Sequence, residues 1–120
     1  MSWAKMSDTT WSDPALTNLS SPAWRLYWCC VSYSAMFLTD GLLDDRQIQQ
    51  VAAVNCLQEL PDLLDELLRE ELLNKAGKRW QIVRYLNENL SRERVEEMRR
   101  MTARRVAIHR RKRGAKGDPM

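Results

Sequence analysis

The stretch from Leu38 to Arg84 constrains the fold more than any other part of the chain. It opens with Leu38-Thr39-Asp40-Gly41, where Asp-Gly is a turn signal. Leu42-Leu43 reads as a very short strand able to pair with a later hairpin. Asp44 or Asp45 caps the next helix, which turns Ile48, Val51 and Ala52 inward and ends at Asn55. Cys56 and Leu57 cross to a second helix, expected over Pro61 to Leu73. Pro61 suits its start, and Asp62 sits in its first turn, where a carboxylate favours the helix dipole. Leu63, Leu64, Leu67, Leu68, Leu72 and Leu73 form its core stripe. Asp65, Glu66, Arg69, Glu70 and Glu71 fill the other side. Asn74-Lys75-Ala76-Gly77 is read as the helix stop leading into a hairpin. Lys78-Arg79 stand at its tip or descending edge, and Trp80, Ile82 and Val83 in its strand.

A turn, two short amphipathic helices and a small hairpin, in that order, form the skeleton of a winged helix-turn-helix. The expected class is therefore mainly α with a small β-hairpin, a winged helix-turn-helix followed by a basic C-terminal helix. Residues 1–90 make the domain, 91–113 the basic helix and 114–120 a disordered tail.

Upstream, Ser2 to Met6 is a candidate short strand, and Asp13-Pro14 is a turn signal. Trp3 and Trp11 are expected to fold back on the domain, and Ala15 to Leu19 to form one helical turn. Ser21-Pro22 opens the first strong helix, with Ser21 as cap. Ala23, Leu26, Tyr27, Cys30, Tyr33 or Ser34, and Phe37 recur with a helical period. Trp24, Trp28 and Val31 widen the apolar surface beyond one face. That second face packs either on residues 1–20, the favoured reading, or on a partner. Downstream, Asn87 to Ser91 is a loop ending in a cap. The last helix is expected from Arg92 to about Arg111, with Val95, Met98, Thr102 and Val106 as its only apolar line.

Charge is split between the ends of the chain. Residues 1–98 hold ten basic and fifteen acidic side chains, a balance of −5, whereas residues 99–120 hold nine basic and one acidic, a balance of +8. Such asymmetry points to a polyanionic partner. No apolar run approaches the roughly 20 residues of a membrane span. No signal-peptide pattern opens the chain, so no membrane association and a location in the host-cell cytoplasm are expected. Cys29, Cys30 and Cys56 have no zinc-site spacing, and His109 is the lone histidine. Three reduced, mostly buried thiols are expected. Neither a metal nor a cofactor is implied, and no nucleophile elbow, phosphate loop or paired-histidine motif suggests an enzyme.

Arg99, Arg100, Arg104, Arg105, Arg110, Arg111, Lys112 and Arg113 put positive charge on several faces of the last helix. That suits a helix lying along phosphates, where counterion release supplies affinity. The competing reading is a solvated tail, or one docked on acidic residues of its own or another chain. Groove reading by the second helix of the pair is disfavoured, since Asp62, Asp65, Glu66, Glu70 and Glu71 would face phosphates with only Arg69 beside them. Contacts then fall to Lys75, Lys78, Arg79 and Arg84 of the wing plus the tail, or the acidic helix faces a protein.

The order Trp3, Asp8, Asp13-Pro14, Leu19-Ser20-Ser21-Pro22-Ala23, Leu38-Thr39-Asp40-Gly41, a Leu-rich helix, Trp80-Gln81-Ile82-Val83, Leu86 to Asn89, Leu90-Ser91-Arg92 and an Arg-rich helix is itself informative. Over residues 2–113 it resembles the N-terminal winged-helix domain of actinobacteriophage and prophage replication-initiator or replisome-organiser proteins. The resemblance implies a double-stranded-DNA-binding module from a phage of a Gram-positive, mycobacterial-type host. Such relatives often carry a further domain, so a small regulator or accessory protein is expected rather than an initiator. The acidic second helix of the pair also departs from groove recognition, so only the wing and tail bases carry over. The leading expectation is a small phage-type DNA-binding protein, acting in replication or transcription. The alternative is a host-takeover module that binds a host protein through Asp62, Asp65, Glu66 and Glu70 or through the Trp24/Trp28 face. A homodimer held by the first or last helix is a third expectation.

Overall fold

A computed structural model describes residues 4–89 and 91–116, with the side chains of residues 87, 88 and 112–116 left aside. Two compact units divide the chain, residues 1–90 and 91–120. In the first, a 3-10 turn (Thr10–Ser12) and a short helix α1 (Pro14–Thr17) precede the long helix α2 (Ser21–Phe37). Strand β1 (Leu42–Asp44), helices α3 (Asp45–Val54) and α4 (Leu60–Arg69), strands β2 (Leu73–Ala76) and β3 (Arg79–Ile82) and helix α5 (Tyr85–Glu88) follow. The second unit contains helix α6 (Arg92–Lys116). The protein is thus mainly helical with a small three-stranded antiparallel sheet and a C-terminal helix.

Helices α1, α2 and α3 start where a short polar side chain accepts an orphan N–H. Asp13 accepts from Ala15 at 3.1 Å to open α1. Ser20, not the expected Ser21, caps α2 by accepting from Ala23, and Pro22 falls within its first turn. Asp44 and Gln47 close a reciprocal capping box on α3, with N–H to oxygen distances of 2.8 and 2.9 Å.

The helix ends explain the largest departure from expectation. The helix expected to reach Leu73 stops at Arg69. Glu71 turns left-handed at φ 59, and the N–H groups of Glu71 and Leu72 bond back to the carbonyls of Leu68 and Leu67. That Schellman-type closure satisfies the last carbonyls. Leu72 and Leu73 are still buried, but from extended backbone. Asn74–Ala76, expected as a helix stop, is strand β2. Cys56 closes α3 in the same way at φ 55, as does Leu38 on α2 at φ 54.

In the sheet, β3 lies between β1 and β2. Leu43 pairs with Trp80 and Asp44 with Arg79 on one side, while Leu73 pairs with Ile82 and Ala76 with Arg79 on the other. The expected pairing of Leu42-Leu43 with the hairpin is therefore found. A two-residue turn, Gly77-Lys78, joins β2 to β3, with Gly77 at φ 64. Leu26, Leu43, Ile48, Leu67, Leu72, Leu73 and Ile82 are fully buried and tie α2, α3, α4 and the sheet into one core.

Two N-terminal expectations and one at the end of α2 are corrected. Residues 4–6 form no strand, although the Lys5 N–H donates to Asn89 Oδ1 at 2.7 Å; Trp3 lies outside the described residues. Trp11 stands 82% exposed rather than folded back, because its 3-10 turn buries Thr10 instead. Phe37, expected inward, is 54% exposed. Of the cysteines only Cys30 is buried; Cys29 is half-buried and Cys56, in its helix-ending turn, is exposed. Burial, and then the neighbouring Cys29, push the Cys30 thiol up to about 12, so it stays protonated and inert.

Helix α6 runs beyond the expected end near Arg111, and residues 114–116, expected in a disordered tail, continue it. A single interior glycine costs only about 1 kcal/mol relative to alanine and need not stop a helix. Residues 117–120 lie outside the described residues.

Candidate nucleic-acid interface

The hairpin is built to project its turn. Two strands of four residues carry Gly77-Lys78 outward, and Lys78 and Arg79 are exposed with no ion pair among the described residues. At the base of the hairpin the situation differs. Lys75 lies 4.4 Å from the centre of the Trp80 ring and 3.5 Å from Asp45 Oδ1. The Trp80 Nε1–H donates to that same oxygen at 2.7 Å. Trp80, and then Lys75, hold the Asp45 carboxyl below its ordinary range. Lys75 is therefore partly spent within the molecule, bracing the hairpin against the start of α3.

Arg84 is engaged more fully. Its guanidinium donates to the Asp13 carboxylate and pairs with it, so it ties the N-terminal segment to the chain leaving β3. This hydrogen bond is the main cause that depresses the Asp13 carboxyl. Arg84, expected among the DNA contacts, is thus engaged within the fold as a brace.

Along α6 the acidic and basic side chains are segregated. Arg92 pairs with Glu96 at 3.0 Å and Arg94 with Glu97 at 3.1 Å in the first turns. Arg99, Arg100, Arg104, Arg105, Arg110 and Arg111 are all exposed, and none has an ion-pair partner among the described residues. Lys112 and Arg113 have side chains outside the described residues.

The residues assigned to a protein partner are only partly available. Glu66 receives the backbone N–H of Ser20 at 2.9 Å and the Ser20 hydroxyl at 2.7 Å, so it links α4 to the cap of α2. Those two hydrogen bonds lower its carboxyl below the ordinary range. Asp62 and Asp65 are exposed, and Glu70 is half-buried. Trp24 and Trp28 pack against the core edge-to-face, with ring centres 5.7 Å apart. Ala15, Leu16 and Leu19 of the N-terminal segment belong to the same cluster. Both tryptophans are thus half-buried against the core rather than fully exposed. The Trp28 Nε1–H is enclosed without a partner among the described residues.

The braces formed by Asp13, Ser20, Asp45 and Trp80 had no signal in the sequence, because each joins residues 30 or more positions apart. Among the described residues no group of three or more His, Cys, Asp or Glu side chains gathers as metal ligands. No described helix is long and apolar enough to cross a membrane. No protein-family model matches the chain, and no curated protein or solved structure is detectably similar to it.

Proposed function

We propose that this chain is a winged helix-turn-helix protein that grips duplex DNA through its hairpin turn and its basic C-terminal helix. The helix–strand–helix–helix–hairpin order from α2 to β3 supports the fold reading. Lys78 and Arg79 form the wing contact, and the arginines of α6 carry most of the affinity. The single observation that carries this reading is the set of six exposed α6 arginines without a carboxylate partner among the described residues. Unneutralised guanidinium groups repel one another, and phosphates relieve that repulsion while releasing counterions. The resemblance of the sequence to phage replication-initiator domains supports a role as an accessory or regulator in phage replication or transcription.

Fluorescence anisotropy on random-sequence duplex DNA tests the reading. The intact chain binds, and the chain with Arg99, Arg100, Arg104, Arg105, Arg110 and Arg111 changed to Gln loses at least tenfold in affinity, about 1.4 kcal/mol. Equal binding by the two proteins refutes it.

One observation favours a second reading, a module that captures a host protein: Asp62 and Asp65 leave an exposed acidic side on α4. A host partner that survives nuclease treatment and is lost on Asp62→Lys plus Asp65→Lys supports that reading.

A further inference from the structure

Successive residues of an α-helix step about 100° around its axis. Between residues 99 and 111 of α6, that step sorts the side chains into two unlike faces. One arc of roughly 140° holds only arginines and alanines. Arg99 and Arg110 lie along one edge, Ala103 and Ala107 along the middle, and Arg100, Arg104 and Arg111 along the other edge. The remaining arc holds Met101, Thr102, Arg105, Val106, Ile108 and His109. Every one of these thirteen residues is exposed.

We infer that α6 seats its arginine–alanine face in the major groove of duplex DNA, resting on the proposed function above. The alanines face the groove floor, where the absence of long side chains lets the helix backbone approach. Each arginine row faces the phosphates of one strand. A helix about 10–12 Å across fits a major groove about 12 Å wide and not a minor groove about 6 Å wide. The stretch from Arg99 to Arg111 spans about 18 Å, long enough to follow the groove past several phosphates on both sides. The deep, narrow major groove of an RNA duplex excludes the same seating. Helix α4 is unsuited to this position, because Asp62 and Asp65 on its exposed side would meet phosphates. The groove-facing role thus passes from the second helix of the pair to α6.

Adjacent arginines on opposite faces make the test. In the intact chain, Arg104→Ala and Arg105→Ala remove the same charge one residue apart, so diffuse electrostatics affects them alike. Groove seating predicts about a fivefold loss of affinity for random duplex DNA with Arg104→Ala and less than twofold with Arg105→Ala. It also predicts that Ala107→Leu weakens binding by a similar factor while Val106→Leu does not, with circular dichroism showing equal helix content in all four. A duplex RNA of the same length binds more weakly than the DNA. Equal losses from Arg104→Ala and Arg105→Ala, with DNA binding retained, overturn groove seating and leave phosphate gripping intact. Absence of DNA binding by the unaltered chain overturns the proposed function and this inference with it.

Discussion

Of the glycines at positive φ, Gly41 and not Gly77 has no room for a side chain. It sits at φ 84, and its carbonyl accepts the Ile82 N–H at 2.8 Å. A Cβ there would stand 2.7 Å from the Tyr85 Cβ, and Tyr85 is buried. Gly41→Ala combines backbone strain with overpacking, so a loss of about 2–4 kcal/mol in unfolding free energy is expected by urea titration. Cys56 is the opposite case. It holds φ 55 without glycine and is exposed, so replacing it removes strain and no packing. Cys56→Gly should raise stability by about 0.5–1 kcal/mol, read as an upward shift of a few degrees in thermal midpoint. The Asp-Gly turn signal found Gly41 in the sequence. Nothing in the sequence marked Leu38, Cys56, Glu59 or Glu71 as left-handed, because residues with side chains rarely adopt that conformation.

Elements are joined by carboxylates that work in their charged form. Asp13 on Arg84, Asp45 on Trp80 and Lys75, and Glu66 on Ser20 all titrate below their ordinary values of 3.8, 3.8 and 4.5. A carboxyl depressed in the folded state contributes stability above its unfolded value and loses it as pH falls. Unfolding free energy should therefore hold from neutrality down to about pH 5 and drop below it. Glu66→Gln should flatten part of that drop in acid denaturation followed by circular dichroism. At this scale α2, α3 and the hairpin were legible, because caps and apolar period agree. Helix α4 was overextended, since Leu72 and Leu73 continue the leucine pattern into β2 and periodicity cannot separate a buried helix from a buried strand. The bracing role of Arg84 was missed for a related reason: its partner, Asp13, lies 71 residues away.

Across the whole molecule the charge split visible in the sequence survives folding. The arginines between positions 99 and 111 stay exposed, and the described acidic partners along α6 are confined to its first turns. The hairpin offers fewer unpaired basic side chains than the sequence suggested, with Lys78 and Arg79 exposed at the turn while Lys75 and Arg84 brace the fold. The proposed grip on DNA accordingly rests on α6. Salt dependence of affinity on random-sequence duplex DNA, measured from roughly 50 to 200 mM salt, tests that most directly. With about six phosphates neutralised, log affinity should fall against log salt with a slope near −5, and the six-arginine-to-Gln chain should lose more than half of that slope. A slope near zero for the intact chain, or the same slope for both proteins, would contradict the account.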